Sequence, residues 1–102
     1  MIHVVVNISV KPGMLNQLLE IFKANACVVR TEKGCIEYGA FVDAEDAPSF
    51  QRRLGPDSMM VFERWESMKA LADHANSPHV IQYRANVKNL VISNTVNVFV
   101  SA

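Results

Sequence analysis

The chain has 102 residues, half of them hydrophobic, and its ten basic and ten acidic side chains cancel. That length holds one domain, residues 1–102, with far more apolar content than a disordered chain carries. The balanced charge offers no basic surface for nucleic acid or an anionic membrane, so neither is expected as a partner. No apolar run approaches the roughly 20 residues of a spanning helix.

The N-terminus opens directly on a strand, without the charged segment and apolar core of a signal peptide. Cys27 and Cys35 fit no zinc or redox spacing and are too few for a disulfide scaffold. Reduced thiols and a cytoplasmic location are the expectation.

In chain order, residues 2–10 alternate, with Ile2, Val4, Val6, Ile8 and Val10 against His3, Val5, Asn7 and Ser9. The first set is wholly apolar, as a core-facing strand requires. Lys11-Pro12-Gly13 is a turn. A helix is expected over about 14–30, with Leu15, Leu18, Leu19, Phe22, Ala26 and Val29 on one stripe and Gly34 as its stop signal. Residues 35–42 read as a second strand, with Ile36, Tyr38, Ala40 and Val42 opposite Cys35, Glu37, Gly39 and Phe41. Residues 43–57 are a long irregular segment, in which Phe50 and Leu54 suggest packing onto something.

MMVFERWE, 59–66, alternates as a third strand. It puts Glu63 on the same face as Val61 and Trp65, where an unpaired carboxylate would be costly. Ser67 reads as an N-cap, and Met68, Leu71, Ala72 and Ala75 follow at helical spacing with His74 close to the apolar side. Asn76 ends that helix. Ser77 as cap and Pro78 at the first helical position start another, with His79 and Tyr83 one turn apart. The valine-rich run 90–100 is the fourth strand.

The order β-α-β, then β-α(α)-β, predicts the ferredoxin-like split βαβ fold of the α+β class: a four-stranded antiparallel sheet with helices on one face. The uncovered face would carry Val5, Phe99, and Phe41 or Tyr38, which is apolar enough to suggest a second copy of the sheet against it. A homodimer is therefore expected.

Three motifs carry a resemblance: E-x-G-C-x-x-Y at 32–38, F-E-x-W-x-S at 62–67, and L-x-x-H-x-x-S-P-H at 71–79. In these the chain resembles the antibiotic biosynthesis monooxygenase (ABM) family over nearly its whole length. The resemblance implies a dimeric α+β barrel with a substrate pocket between sheet and helices in each subunit. It also implies a monooxygenase that oxidises a quinol or polycyclic phenol with dioxygen and needs no cofactor, neither metal nor flavin. Other members degrade haem or isomerise a small phosphorylated compound.

Such chemistry needs a flat apolar pocket, a group that removes or holds a proton, and shelter from water. His74 is the first candidate base, because an ordinary imidazole titrates near pH 6.5, roughly. Glu63 would orient it or share its proton. Trp65, Tyr38, Phe62 and Tyr83 are candidate walls, and His79 a candidate neutral hydrogen-bonding group near the N-terminus of its helix.

Each residue also has a plain structural reading. His74 would be a helix residue bonded to a carbonyl or to Glu63. Trp65 would be core, Glu63 half of an ion pair, and Tyr38 part of the dimer face. Asn7 lies on the mixed face with His3 and Val5.

No H-x-H or H-E-x-x-H pair is present, so a metal site is not expected. Where haem-degrading relatives place an asparagine and a histidine, this chain has Val6 and, approximately, Arg84. Two rival readings use the same residues. A proton-transfer isomerase on a small carbonyl compound would need a cation from Arg84, Arg64 or Lys88. A non-catalytic quinone-binding dimer would bind without turnover.

Overall fold

The computed structural model describes all 102 residues. Its elements are β1 (Ile2–Val10), α1 (Leu15–Val29), β2 (Cys35–Phe41), β3 (Ser58–Trp65), α2 (Met68–Ala75), α3 (Pro78–Val87) and β4 (Val91–Phe99). The strands form one four-stranded sheet in the order β2-β3-β1-β4, and every neighbouring pair is antiparallel. Each βαβ half thus steps over a strand of the other half, which is the ferredoxin-like arrangement the element order predicts.

The helices bury one face. Ile2, Val4, Val6, Ile8 and Val10 of β1 lie beneath them, with Met59, Val61, Glu63 and Trp65 of β3 beside them. Leu18, Phe22, Ala26 and Val29 of α1 close over this layer at helical spacing. Each fully buried valine, leucine, methionine or phenylalanine among them contributes about 1.5–3 kcal/mol by leaving water.

Gly34 joins α1 to β2 for two reasons. Its φ is +86°, and a Cβ there would stand 2.6 Å from Cβ of Ala70. Ser67 caps α2 as expected, its Oγ accepting from the Ala70 N–H at 3.1 Å.

Several local expectations are corrected. β2 carries an irregularity between Cys35, opposite Trp65, and Glu37, opposite Arg64. The extra residue, Ile36, is turned out to solvent, while Cys35 joins Tyr38 on the helix side. Tyr38 is buried and stacked on Phe22, with ring centroids 5.3 Å apart, so it is no part of the open face. In α2 the fully buried residues are Ala70 and His74, with Leu71 and Ala75 half-buried beside them, whereas Met68 and Ala72 of the expected stripe are exposed. Ser77 precedes α3 in extended backbone, but its hydroxyl turns back to donate to the His74 carbonyl at 2.7 Å and does not cap α3.

Phe50 is 88% exposed and packs on nothing within the chain. The long segment is tied instead by Asp43, whose carboxylate accepts from the Leu54 and Gly55 N–H groups, each at 2.9 Å. Those two bonds hold the Asp43 carboxyl below its ordinary range.

The open face combines polar pairs with the expected apolar residues. His3 stacks on Phe62, Arg64 pairs with Glu37 at 2.9 Å, and Ser9 bonds Ser58 at 3.0 Å. That face also exposes Phe99, opposite His3, and Phe41, opposite Met60, each about half, as the sequence suggests. A second apolar exposure lies on the helix side of β4. The partners of Val96 and Val98 are the buried Val6 and Val4, yet they remain 58% and 46% exposed because no helix reaches over that edge.

Candidate active site

A cavity of about 320 Å³ opens between the sheet and the helices, at the low end of the roughly 300–1,000 Å³ of small-molecule sites. Val4, Val6, Ile8 and Val61 form its floor, Phe22, Tyr38 and Tyr83 its aromatic wall, and Leu71, Ala75 and Val80 its helical roof. Arg84, Asn94, Val96 and Val98 are exposed and mark its mouth. Two acid–base groups line it, Glu63 and His74.

Glu63 is placed by the alternation of β3, which turns every second side chain toward the helices. It is 5% exposed. Trp65, two residues along the same face and fully buried, donates its indole N–H to Oε1 of Glu63 at 2.9 Å. Burial raises the Glu63 carboxyl above the ordinary carboxylate range. The Trp65 hydrogen bond and His74 oppose this without cancelling it.

His74 faces inward from the last turn of α2. Its ring lies 4.5 Å from that of Trp65 and 5.5 Å from that of Tyr38, centroid to centroid. Its Nε2 is 3.9 Å from Oε1 of Glu63, and its Nδ1 is 2.9 Å from Oε2 of Glu32. Burial pushes the Tyr38 phenol far above its ordinary value and that of Tyr83 to about 12, so both stay neutral near pH 7.

The predicted site residues divide into groups. His74, Glu63, Tyr38 and Tyr83 come together on the cavity. Trp65 supports Glu63 and His74 from beneath and is not a wall. Phe62 is not a wall either. Strand alternation sends it to the opposite face of the sheet, against His3. His79 lies behind the cavity, bonded through Nε2 to Glu32 at 2.9 Å and bordering an outer groove between α1 and α3.

Asn7 borders a separate polar groove with Arg52 and Arg53. Of the candidate cations, only Arg84 reaches the cavity. It also donates from Nη1 to the Ala75 carbonyl at 3.1 Å. Arg64 is paired with Glu37, and Lys88 borders a neighbouring groove. Sequence reasoning missed Phe22 and, above all, Glu32. The signal for Glu32 was its place two residues before Gly34 in E-x-G-C, where it reads only as the end of a helix.

A two-tyrosine apolar cavity with a buried carboxyl–imidazole pair has the chemistry for proton handling on a flat apolar ligand. The profile of the antibiotic biosynthesis monooxygenase family matches residues 1–86. The chain is 32% identical over 100 residues to the Escherichia coli K12 protein named "Probable quinol monooxygenase YgiN", spanning 96% of this chain and 95% of that one.

Among solved structures, Rv0793 from Mycobacterium tuberculosis superposes with a TM-score of 0.80 at 26% identity, covering 99% of this chain and 94% of that one. PA3566 from Pseudomonas aeruginosa, at 20% identity, shares the fold with a TM-score of 0.80 over 99% of this chain and 93% of its own. The chain belongs to the antibiotic biosynthesis monooxygenase family and is an enzyme of the monooxygenase class. No helix is long and apolar enough to cross a membrane.

Proposed function

We propose that this enzyme oxidises a quinol or related polycyclic phenol with dioxygen, and that it does so without a metal or flavin. One observation carries the reading: Glu63 and His74 stand side by side in a mostly apolar, aromatic-walled cavity whose other polar groups, Arg84 and Asn94, are at the mouth. The quinol named for the Escherichia coli relative supports the substrate class.

The chemistry follows from spin and charge. Ground-state dioxygen is a triplet and reacts slowly with closed-shell molecules. A deprotonated phenol can pass it one electron, and the resulting radical pair recombines to a substrate hydroperoxide. Loss of water from that hydroperoxide leaves a new carbon–oxygen double bond, so one oxygen atom enters the product and the other leaves as water.

The protein has three tasks. The apolar floor and roof exclude water from the intermediate. Tyr38 and Tyr83, both neutral phenols, bracket the substrate and can donate to its oxygens. The Glu63–His74 pair takes the phenolic proton, returns it to the peroxide anion to complete the hydroperoxide, and then carries the proton from the substrate carbon to the departing hydroxide, which leaves as water. A raised Glu63 carboxyl suits this role, because its affinity for a proton is closer to that of a phenol than an ordinary carboxylate's is.

A homodimer belongs to this reading. Val96 and Val98 are exposed at the mouth of the cavity, and a second copy over the β4 edge would close it against solvent.

Oxygen uptake tests the reading with purified protein stripped of metal by chelation and a panel of quinols and anthrone-type phenols. Uptake above autoxidation is expected, with kcat reduced about 10²–10⁴-fold by His74→Ala or Glu63→Gln. Uptake unchanged in both variants would remove the pair from the mechanism. No uptake from any substrate, with turnover of a small carbonyl compound under anaerobic conditions, would favour the isomerase reading and give Arg84 at the mouth an anion to hold.

A further inference from the structure

Glu32 has no part in the reaction as described, yet its position is tightly defined. It lies in the turn between α1 and β2, where its N–H donates to the Val29 carbonyl at 2.9 Å and its carbonyl accepts from Cys35 at 3.1 Å. Gly34, two residues on, packs so closely against Ala70 of α2 that no other residue fits there without displacement. The side chain of Glu32 is 15% exposed and reaches the space between α2 and α3. One atom, Oε2, lies 2.9 Å from Nδ1 of His74 and 2.9 Å from Nε2 of His79.

The donor and acceptor roles follow from chemistry. An ionised carboxylate oxygen only accepts. For both contacts to be hydrogen bonds at once, each histidine must donate: His74 from Nδ1–H and His79 from Nε2–H. A neutral His74 with its proton on Nδ1 carries its lone pair on Nε2. That is the nitrogen facing Glu63 at 3.9 Å and the cavity beyond it. Without Glu32, the ring could place its proton on Nε2 and present a donor where the base is needed.

We propose that Glu32 is the positioning residue of the site: braced by His79, it holds His74 in the Nδ1–H tautomer and so turns the basic Nε2 toward Glu63 and the substrate. The consequence for catalysis rests on the reading of His74 as the proton-handling group, but the tautomer does not. His79 acts through Glu32 and touches no substrate, in keeping with its place behind the cavity. The same logic operates wherever a carboxylate fixes the orientation and tautomer of a catalytic imidazole.

The test is long-range ¹H–¹⁵N NMR of the histidine rings in the substrate-free protein, at about pH 9, well above the ordinary imidazole range. His74 of the wild-type chain is expected to show a protonated Nδ1 and an unprotonated Nε2. In Glu32→Ala that pattern should change to the Nε2–H form or to a mixture. Glu32→Gln keeps an acceptor oxygen and should preserve the pattern, which guards against a loss of fold in the alanine variant.

In the oxygen-uptake assay Glu32→Ala should lower kcat about 10–100-fold, the usual cost of losing a supporting partner, with little change in KM. Glu32→Gln should recover most of that loss. A wild-type His74 protonated on Nε2, or a tautomer unmoved in Glu32→Ala, overturns the proposal whether or not the protein consumes oxygen. Absence of oxygen uptake with the expected NMR pattern would instead count against the oxidation and leave the role of Glu32 standing.

Discussion

At the scale of single residues, the site turns on one buried carboxyl. Glu63 was conspicuous in the sequence because the alternation of residues 59–66 places it between Val61 and Trp65, and a buried carboxyl needs partners. Its partners, Trp65 and His74, were within the same motif-bearing stretch. Glu32 was not legible in this way, because its contact with His74 spans 42 residues and depends on how a turn meets a helix.

A pH dependence follows from Glu63. Burial raises its carboxyl in the folded chain, so the native state retains a proton that the unfolded chain releases. Between the ordinary carboxyl value, about 4.3, and the raised native value, the unfolded state binds fewer protons. Stability from this group is therefore complete at low pH and is lost as pH rises through that window. Trp65→Phe keeps an aromatic ring beside His74 but removes the donor to Oε1. It should lower stability by about 1–3 kcal/mol where Glu63 is ionised and extend the declining limb to higher pH. Thermal unfolding from pH 4 to pH 9 checks both effects, and Glu63→Gln should flatten the limb.

At the scale of elements, the alternation and helical stripes of the sequence located every strand and helix, with ends shifted by a residue or so. What periodicity could not show was the irregularity at Ile36. A strict period of two assigned Ile36 and Tyr38 to one face, whereas one extra residue in β2 puts Cys35 and Tyr38 on the helix side and Ile36 in solvent. The inward face of α2 was legible only in part. It joins the buried Ala70 and His74 to the half-buried Leu71 and Ala75, so the apolar stripe found Leu71, Ala75 and the nearby His74 but missed the small Ala70 and took in the exposed Met68 and Ala72.

Gly34 links these elements. Its positive φ costs a side chain roughly 1–2 kcal/mol, and crowding against Ala70 adds about 1–3 kcal/mol more. Gly34→Ala is therefore expected to lose several kcal/mol in chemical denaturation, and the displaced α2 should also weaken the His74–Glu32 contact. A variant that unfolds like the wild type would show that the turn relaxes freely and does not set the position of Glu32.

At the scale of the whole molecule, the helices cover β1, β2 and β3 but leave the helix side of β4 bare. The sequence pointed to an uncovered surface and placed it on the open sheet face. In the structure that face does expose Phe41 and Phe99, among the polar Arg64–Glu37, Ser9–Ser58, Asn7 and Thr95, and β4 presents a second apolar surface, Val96 and Val98, beside the cavity. Residue-by-residue alternation cannot reveal this, because it reports which side a valine faces and not whether a helix arrives to cover it.

The two possible states of the molecule respond differently to a charge there. In a lone chain, Val98→Lys alters a half-exposed position and should change stability by no more than about 0.5 kcal/mol. In the proposed homodimer the same lysine would be buried without a partner and should abolish association. Sedimentation equilibrium is expected to give twice the chain mass for the wild type and the chain mass for Val98→Lys, with cooperative unfolding kept in both. A wild-type chain that sediments as a monomer and still consumes oxygen would mean that the cavity works with its β4 side open to water, and closure by a second copy would then have no part in catalysis.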